Sequence, residues 1–171
     1  MGNKGWHNRG YLPHLDGYGI TQHVVFRLAD ALVPGAEPEG DAALDRGHGA
    51  AVLRMPACAR IVVETLMHFD DARYALRAWC VMPSHVHVLV NTTKAHQIGA
   101  VVRTWKSYSA RRINALLGAR GGLWAVDYFD RFMRDDTHFA TTVRYIERNP
   151  VAAGLCERPE DWPFSSAGWT E

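Results

Sequence analysis

Tyr74-Ala-Leu-Arg-Ala-Trp-Cys-Val-Met82-Pro83-Ser84-His85-Val-His-Val-Leu-Val-Asn91 holds two strand-like runs, Tyr74 to Met82 and His85 to Asn91. Only Pro83-Ser84 separates them, which is compatible with a tight antiparallel turn. Upstream, Ala57 to Phe69 places Ile61, Val62, Thr65, Leu66 and Phe69 at helical spacing and predicts a helix packed on a sheet. Before it, Gln22-His-Val-Val-Phe-Arg-Leu28 has the β-branched and aromatic character of a strand. Between these, Val33 to Gly49 is punctuated by Pro34, Gly35, Pro38, Gly40, Gly47 and Gly49, and reads as a connection with a short helix at Ala42 to Arg46.

Downstream, Gln97 to Leu117 reads as a second long helix, with Ile98, Val101, Val102, Trp105, Tyr108 and Leu116 as its apolar stripe and Gly118 to Gly122 as its end. A strand at Tyr128 to Arg134 leads to a third helix, capped by Asp135 or Asp136 and stopping at Pro150. The order β, α, β, β, α, β, α predicts an α+β fold of the ferredoxin-like kind. That fold is a split βαβ antiparallel sheet with helices on one face and an appended helix.

The chain has 171 residues, 47% of them apolar and 22% charged, with a mean hydropathy of -0.20. This size and composition predict one soluble domain over 1–171, with an N-terminal segment at 1–20 and a C-terminal tail at 155–171. The longest apolar stretch, Ala78 to Val90, has only 13 residues and includes His85 and His87, too short to span a bilayer. The start lacks an apolar signal core. Cys58, Cys80 and Cys156 are odd in number and lack C-x-x-C spacing, so neither a disulfide framework nor a zinc cage is expected, and a reducing cytoplasm fits.

The net charge is +1, yet its distribution is uneven. Between Thr93 and Val126 stand Lys94, Arg103, Lys106, Arg111, Arg112 and Arg120 without an acid, while Glu37, Glu39, Asp41 and Asp45 cluster elsewhere. A merely solvated helix usually interleaves opposite charges at i,i+4, so this basic helix points to nucleic acid.

His85 and His87 share one face of their strand, close enough for both imidazoles to bind one ion. An H-x-H pair alone is a weak signal. On the third helix Tyr145 and Asn149 lie one turn apart, off the face formed by Phe139, Val143 and Ile146 and together with Thr141 and Thr142. Two imidazoles, an amide oxygen and a phenol suit attack on a phosphodiester. The ion draws charge from the phosphate while the phenolate attacks and conserves the bond energy as a phosphotyrosine. A donor set without thiolate suits Mg²⁺ or Mn²⁺, although imidazoles also admit zinc. Tyr108 is the rival nucleophile, flanked by Lys106, Arg111 and Arg112, but its place on the apolar stripe assigns it to the core.

His85-Val-His87, Tyr145 with Asn149, and the blocks Gly10-Tyr-Leu-Pro-His14, Tyr128-Phe-Asp-Arg131, Tyr145-Ile-Glu-Arg-Asn-Pro-Val151 and Arg158-Pro-Glu-Asp-Trp-Pro-Phe-Ser-Ser166 together resemble the single-tyrosine HUH transposases. Within them the chain is similar to the REP-associated tyrosine transposases, from about Trp6 to Trp169. The resemblance implies a divalent ion held by His85 and His87, with Asn149 as third ligand and Tyr145 as nucleophile. It also implies cleavage and rejoining of single-stranded DNA at hairpin-bearing repeats through a 5′-phosphotyrosine, by a monomer rather than a homodimer. A nucleic-acid-binding module of the same fold without catalysis is the alternative, and the complete set of four residues argues against it. Arg103, Lys106, Arg111 and Arg112 are expected to contact phosphates. Trp6 and Arg9, in the Gly/Pro-punctuated stretch before His14, are expected to read unpaired bases beside the hairpin.

Overall fold

The structure is a computed structural model and describes residues 6–8, 13–15, 19–32, 41–93 and 95–170. Its elements in chain order are β1 (Trp6–Asn8), β2 (Pro13–Leu15), β3 (Thr21–Arg27), α1 (Asp41–Asp45), α2 (Pro56–Met67), β4 (Tyr74–Val81), β5 (His85–Thr92), α3 (Ile98–Leu117), β6 (Phe129–Phe132) and α4 (Asp136–Ala152). Strands β4, β5, β3 and β6 lie side by side in that order, every pair antiparallel. Strand β5 is thus inserted between β3 and β4, which is the split βαβ arrangement.

Strand alternation divides the sheet chemically. One face carries Val24, Phe26, Trp79, Val81, Val86, Val88 and Val90, which pack against α2 and α3. Two buried polar groups there satisfy each other: Trp105 Nε1 donates to Tyr74 Oη at 2.9 Å, and that hydroxyl donates to Leu66 O at 2.6 Å. The opposite face carries His23, His85, His87, Leu89, Ala78 and Cys80. Helix α4 lies across it, setting Ile146, Phe139 and Val143 against Ala78, Cys80, Met82 and Leu89. The two sheet-packed helices therefore share one face, and the appended helix takes the other.

Caps mark the helix ends as the sequence suggests. Asp135 Oδ1 accepts from His138 N at 2.7 Å at the start of α4, and Gly118 ends α3 in a left-handed conformation with φ 62°. The buried stripe of α3 differs from the expected one. It runs through Ile98, Val101, Val102, Trp105, Ser109 and Ile113, leaving Tyr108 and Leu116 exposed. Ser109 is small enough for this seam, and its hydroxyl donates to Trp105 O at 2.6 Å and accepts from Trp124 Nε1 at 3.0 Å. Helix α4 also does not stop at Pro150; it continues to Ala152 with Pro150 buried inside it. So close to the C-terminus the proline removes one donor, while Asn149 O is taken by Ala153 N at 3.0 Å and Pro150 O by Leu155 N at 2.8 Å.

The exposed edge of β4 is covered by the chain after α4. Val81 N donates to Phe164 O at 2.8 Å, Ser166 N donates to Trp79 O at 2.9 Å, and Ser166 Oγ donates to Glu147 Oε1 of α4 at 2.9 Å. The Arg158 to Ser166 block thereby ties the appended helix to the sheet. At the other edge, β1 and β2 pair antiparallel as a separate two-stranded ribbon, with Trp6 opposite Leu15, and β2 lies beside β6. Among the described residues, no helix is long and apolar enough to cross a membrane.

Candidate active site

His85 and His87 are fully buried on the α4 face of β5, and their Nε2 atoms are 3.1 Å apart. A third histidine, unremarked in the sequence, completes a row. His23 of β3 stacks on His87 with ring centroids 5.3 Å apart, and its Nε2 lies 3.0 Å from His87 Nδ1. Register produces this contact: His23 pairs with Leu89, which sets it diagonally across from His87. The one signal in the sequence was a polar residue at the inward parity opposite Val24 and Phe26.

Hydrogen bonding orients the row. Ser84 Oγ donates to Leu44 O at 3.0 Å, so toward His85 Nδ1, 3.1 Å away, it can only accept. His85 therefore carries its proton on Nδ1 and turns the Nε2 lone pair toward His87. Burial keeps all three rings neutral. Desolvation, helped by Arg131 and His138, lowers the His23 pKa to about 4; desolvation lowers His85 to about 3; and desolvation, with His85 and His23 adding to it, takes His87 well below 6.5.

Helix α4 supplies the other two groups. The Tyr145 ring meets the His87 and His23 rings edge to face, at 5.8 and 6.1 Å, and the residue remains 45% exposed, open to a polymer substrate. Asn149, one turn on, is buried with Ile146 and Thr142 on the sheet-facing stripe, rather than on the separate face expected, and its Oδ1 has no hydrogen-bond partner among the described residues.

These donors fit a divalent ion. Two nitrogens each about 2.1 Å from one ion at a right angle lie about 3.0 Å apart, close to the observed Nε2 separation. The orphaned Asn149 oxygen is a neutral third donor of the kind a buried site otherwise avoids leaving unmatched. Among the described residues no three His, Cys, Asp or Glu side chains converge on one point. Cys80, opposite His87 on β4, stays a thiol because burial holds its pKa far above the ordinary value.

Other expected residues lie elsewhere. Arg103, Lys106, Arg111 and Arg112 belong to α3, on the sheet face opposite the histidines. Lys106 is not a free cation: its ammonium donates to Ala125 O, Val126 O and Asp127 O at 2.9, 3.1 and 3.0 Å, which uses all three protons. Arg112 pairs with Glu64 at 2.8 Å. Arg103 and Arg111 are exposed, with no ion pair among the described residues. Tyr108 is not a core residue; it is 39% exposed and stacked on His68, but the sheet separates it from the histidines. Trp6 lies in β1, and Arg9 falls outside the described residues.

The neutral row makes stability depend on pH. Between about pH 6.5 and the lowered folded-state values, the unfolded chain binds protons that the folded chain excludes. Stability is therefore complete above about pH 6.5 and falls as the pH drops toward 4. In EDTA, His23→Phe should flatten this dependence by one proton, about 1.4 kcal/mol per pH unit. Urea unfolding at several pH values checks it; equal slopes for variant and parent would mean that His23 titrates normally.

The profile of the family described as Transposase IS200 like matches residues 60–149, more than half of the chain. A REP-associated tyrosine transposase of Haemophilus influenzae is 28% identical over 113 residues, a match that covers 60% of this chain and 62% of that relative. Less than two thirds of the relative's length is therefore represented. A solved REP-associated tyrosine transposase bound to a REP hairpin aligns with a TM-score of 0.64 at 18% identity, covering 92% of this chain and 82% of that one, a likeness of fold. The profile match runs from α2 through His85 and His87 to Asn149 at its last position. The chain belongs to the IS200-like transposase family.

Proposed function

We propose that this chain is a single-stranded DNA endonuclease and strand transferase that cuts and rejoins DNA at hairpin-bearing repeats, with Tyr145 as nucleophile. The observation that carries this reading is the half-exposed phenol standing against the buried His23–His87 pair, one turn from the unmatched Asn149 oxygen. His85 Nε2, His87 Nε2 and Asn149 Oδ1 would hold Mg²⁺ or Mn²⁺. When bound, the ion supplies charge that offsets the negative charge growing on the phosphate in the transition state.

The rest is done by the chain. Tyr145 gives its phenol proton to solvent and attacks the phosphorus. The new bond joins Tyr145 Oη to the 5′-phosphate, and the bond to the neighbouring 3′ oxygen breaks, leaving a 3′-hydroxyl. A second 3′-hydroxyl can then attack the phosphotyrosine, which restores Tyr145 and a continuous strand without ATP. Arg131, close enough to depress the His23 pKa, adds positive charge around the site.

The hairpin repeat as substrate is supported by the likeness to REP-associated relatives, one of them solved on a REP hairpin. Mixing the protein with hairpin-bearing single strands and Mg²⁺ or Mn²⁺ should yield cleavage that stops in excess EDTA. Tight binding without cleavage would favour a binding module; full cleavage in EDTA would remove the metal from the reading.

Arg103 and Arg111 are proposed to meet phosphates of the same DNA on the α3 side. Neutralising either should weaken binding alike for all sequences and lower the slope of log K against log salt by roughly 0.7 to 0.9. An unchanged slope would place the DNA elsewhere. Trp6 of the ribbon, and Arg9, which lies outside the described residues, are proposed to read unpaired bases beside the hairpin.

A further inference from the structure

Strand β6 presents two side chains beside the site, Phe129 and Arg131, whose contact with DNA the proposed chemistry leaves open. Phe129 and Arg131 pair with Val25 and His23 respectively, so both stand on the His23 and His87 face of the sheet. The Phe129 ring is 39% exposed and meets the His23 ring edge to face at 6.4 Å. The same His23 ring meets Tyr145 edge to face at 6.1 Å. The Arg131 guanidinium lies 5.6 Å from the Phe129 centroid, is exposed, and has no ion pair among the described residues.

Phe129 presents an exposed aromatic ring at the edge of the four-stranded sheet, where a ring can stack on a base. A guanidinium beside it, without an ion pair among the described residues, gives the patch a sign. A flat apolar ring next to a cation matches one class of ligand, a nucleotide with a base to stack and a phosphate to neutralise. Double-stranded DNA fits poorly, since its bases are already stacked.

We infer that Phe129 and Arg131 form a seat for one unpaired nucleotide of the DNA strand cut by Tyr145, the base lying on Phe129 and its phosphate against Arg131. This rests on the reading of Tyr145 as nucleophile on single-stranded DNA. The seat stacks without reading base edges, so it accepts any base and fixes how far along the strand cleavage falls. Strand β2 beside β6 places the ribbon proposed to read bases at the same edge.

The test is a cycle between side chain and substrate. Binding is measured by anisotropy to a hairpin bearing a single-stranded extension, and to a series in which each extension nucleotide in turn is made abasic. Phe129→Leu should weaken binding to the intact strand by about 5- to 100-fold. At one abasic position the variant and parent should bind alike, because the stacked base is already missing. Phe129→Trp should restore affinity, and Arg131→Gln should lower the salt slope by roughly 0.7. Phe129→Leu should also spread cleavage over neighbouring positions. All three variants should melt within a few degrees of the parent. If Phe129→Leu weakens intact and every abasic strand equally, or none of them, the seat is wrong while the Tyr145 reading stands. If the parent neither binds nor cuts the intact strand, both fall together.

Discussion

Tyr145→Phe should lose strand cleavage and covalent capture of DNA by about 10³-fold or more, the size of loss expected when the atom forming the covalent intermediate is removed. The variant keeps the aromatic ring that rests on His87 and His23, so the histidine row, the fold and DNA affinity should stay as they are. Melting temperature and Kd for the hairpin are the controls. Tyr108→Phe should cut almost normally, since Tyr108 lies across the sheet from the histidines. If Tyr108→Phe were inactive and Tyr145→Phe active, the nucleophile would be misassigned and the whole site with it.

His85→Ala and His87→Ala should each reduce cleavage by about 10²-fold or more at ordinary Mg²⁺ or Mn²⁺ concentrations, because each would remove one of the two imidazoles proposed to hold the ion. His87→Ala should be the harsher change. Its ring is bonded or stacked to both His85 and His23 and supports the Tyr145 ring, so its removal leaves a hole and two unpaired buried nitrogens. Asn149→Ala should be milder, about tenfold. Higher Mn²⁺ should recover part of the activity of His85→Ala and Asn149→Ala if affinity for the ion is what was lost. No recovery at any concentration, with folding intact, would mean that these side chains do something other than hold an ion.

Local periodicity was enough to read most of the sheet and its helices. The Pro83-Ser84 turn, the H-x-H parity and the Asp135 cap are set by neighbours in sequence, and the structure places them as expected. What was missed depends on distant pairing. His23 joins the site only through the β3 to β5 register, which no local window contains. Lys106 looked like a free cation because its three carbonyl partners lie about twenty residues onward. Tyr108 was placed in the core by a fixed helical period, whereas the real seam drifts through Ser109 and Ile113. Pro150 read as a stop, but a proline in a helix's last turns costs a single bond, and burial beside Ile146 offsets it.

Identification of the atom that DNA becomes attached to tests the central claim most directly. The protein is incubated with a hairpin-bearing single strand and Mn²⁺, denatured, digested with protease and nuclease, and the nucleotide-bearing peptide is sequenced by mass spectrometry. A nucleotide joined through its 5′-phosphate to Tyr145 is the predicted result. Attachment at any other residue, or cleavage with no protein-linked nucleotide, would contradict it.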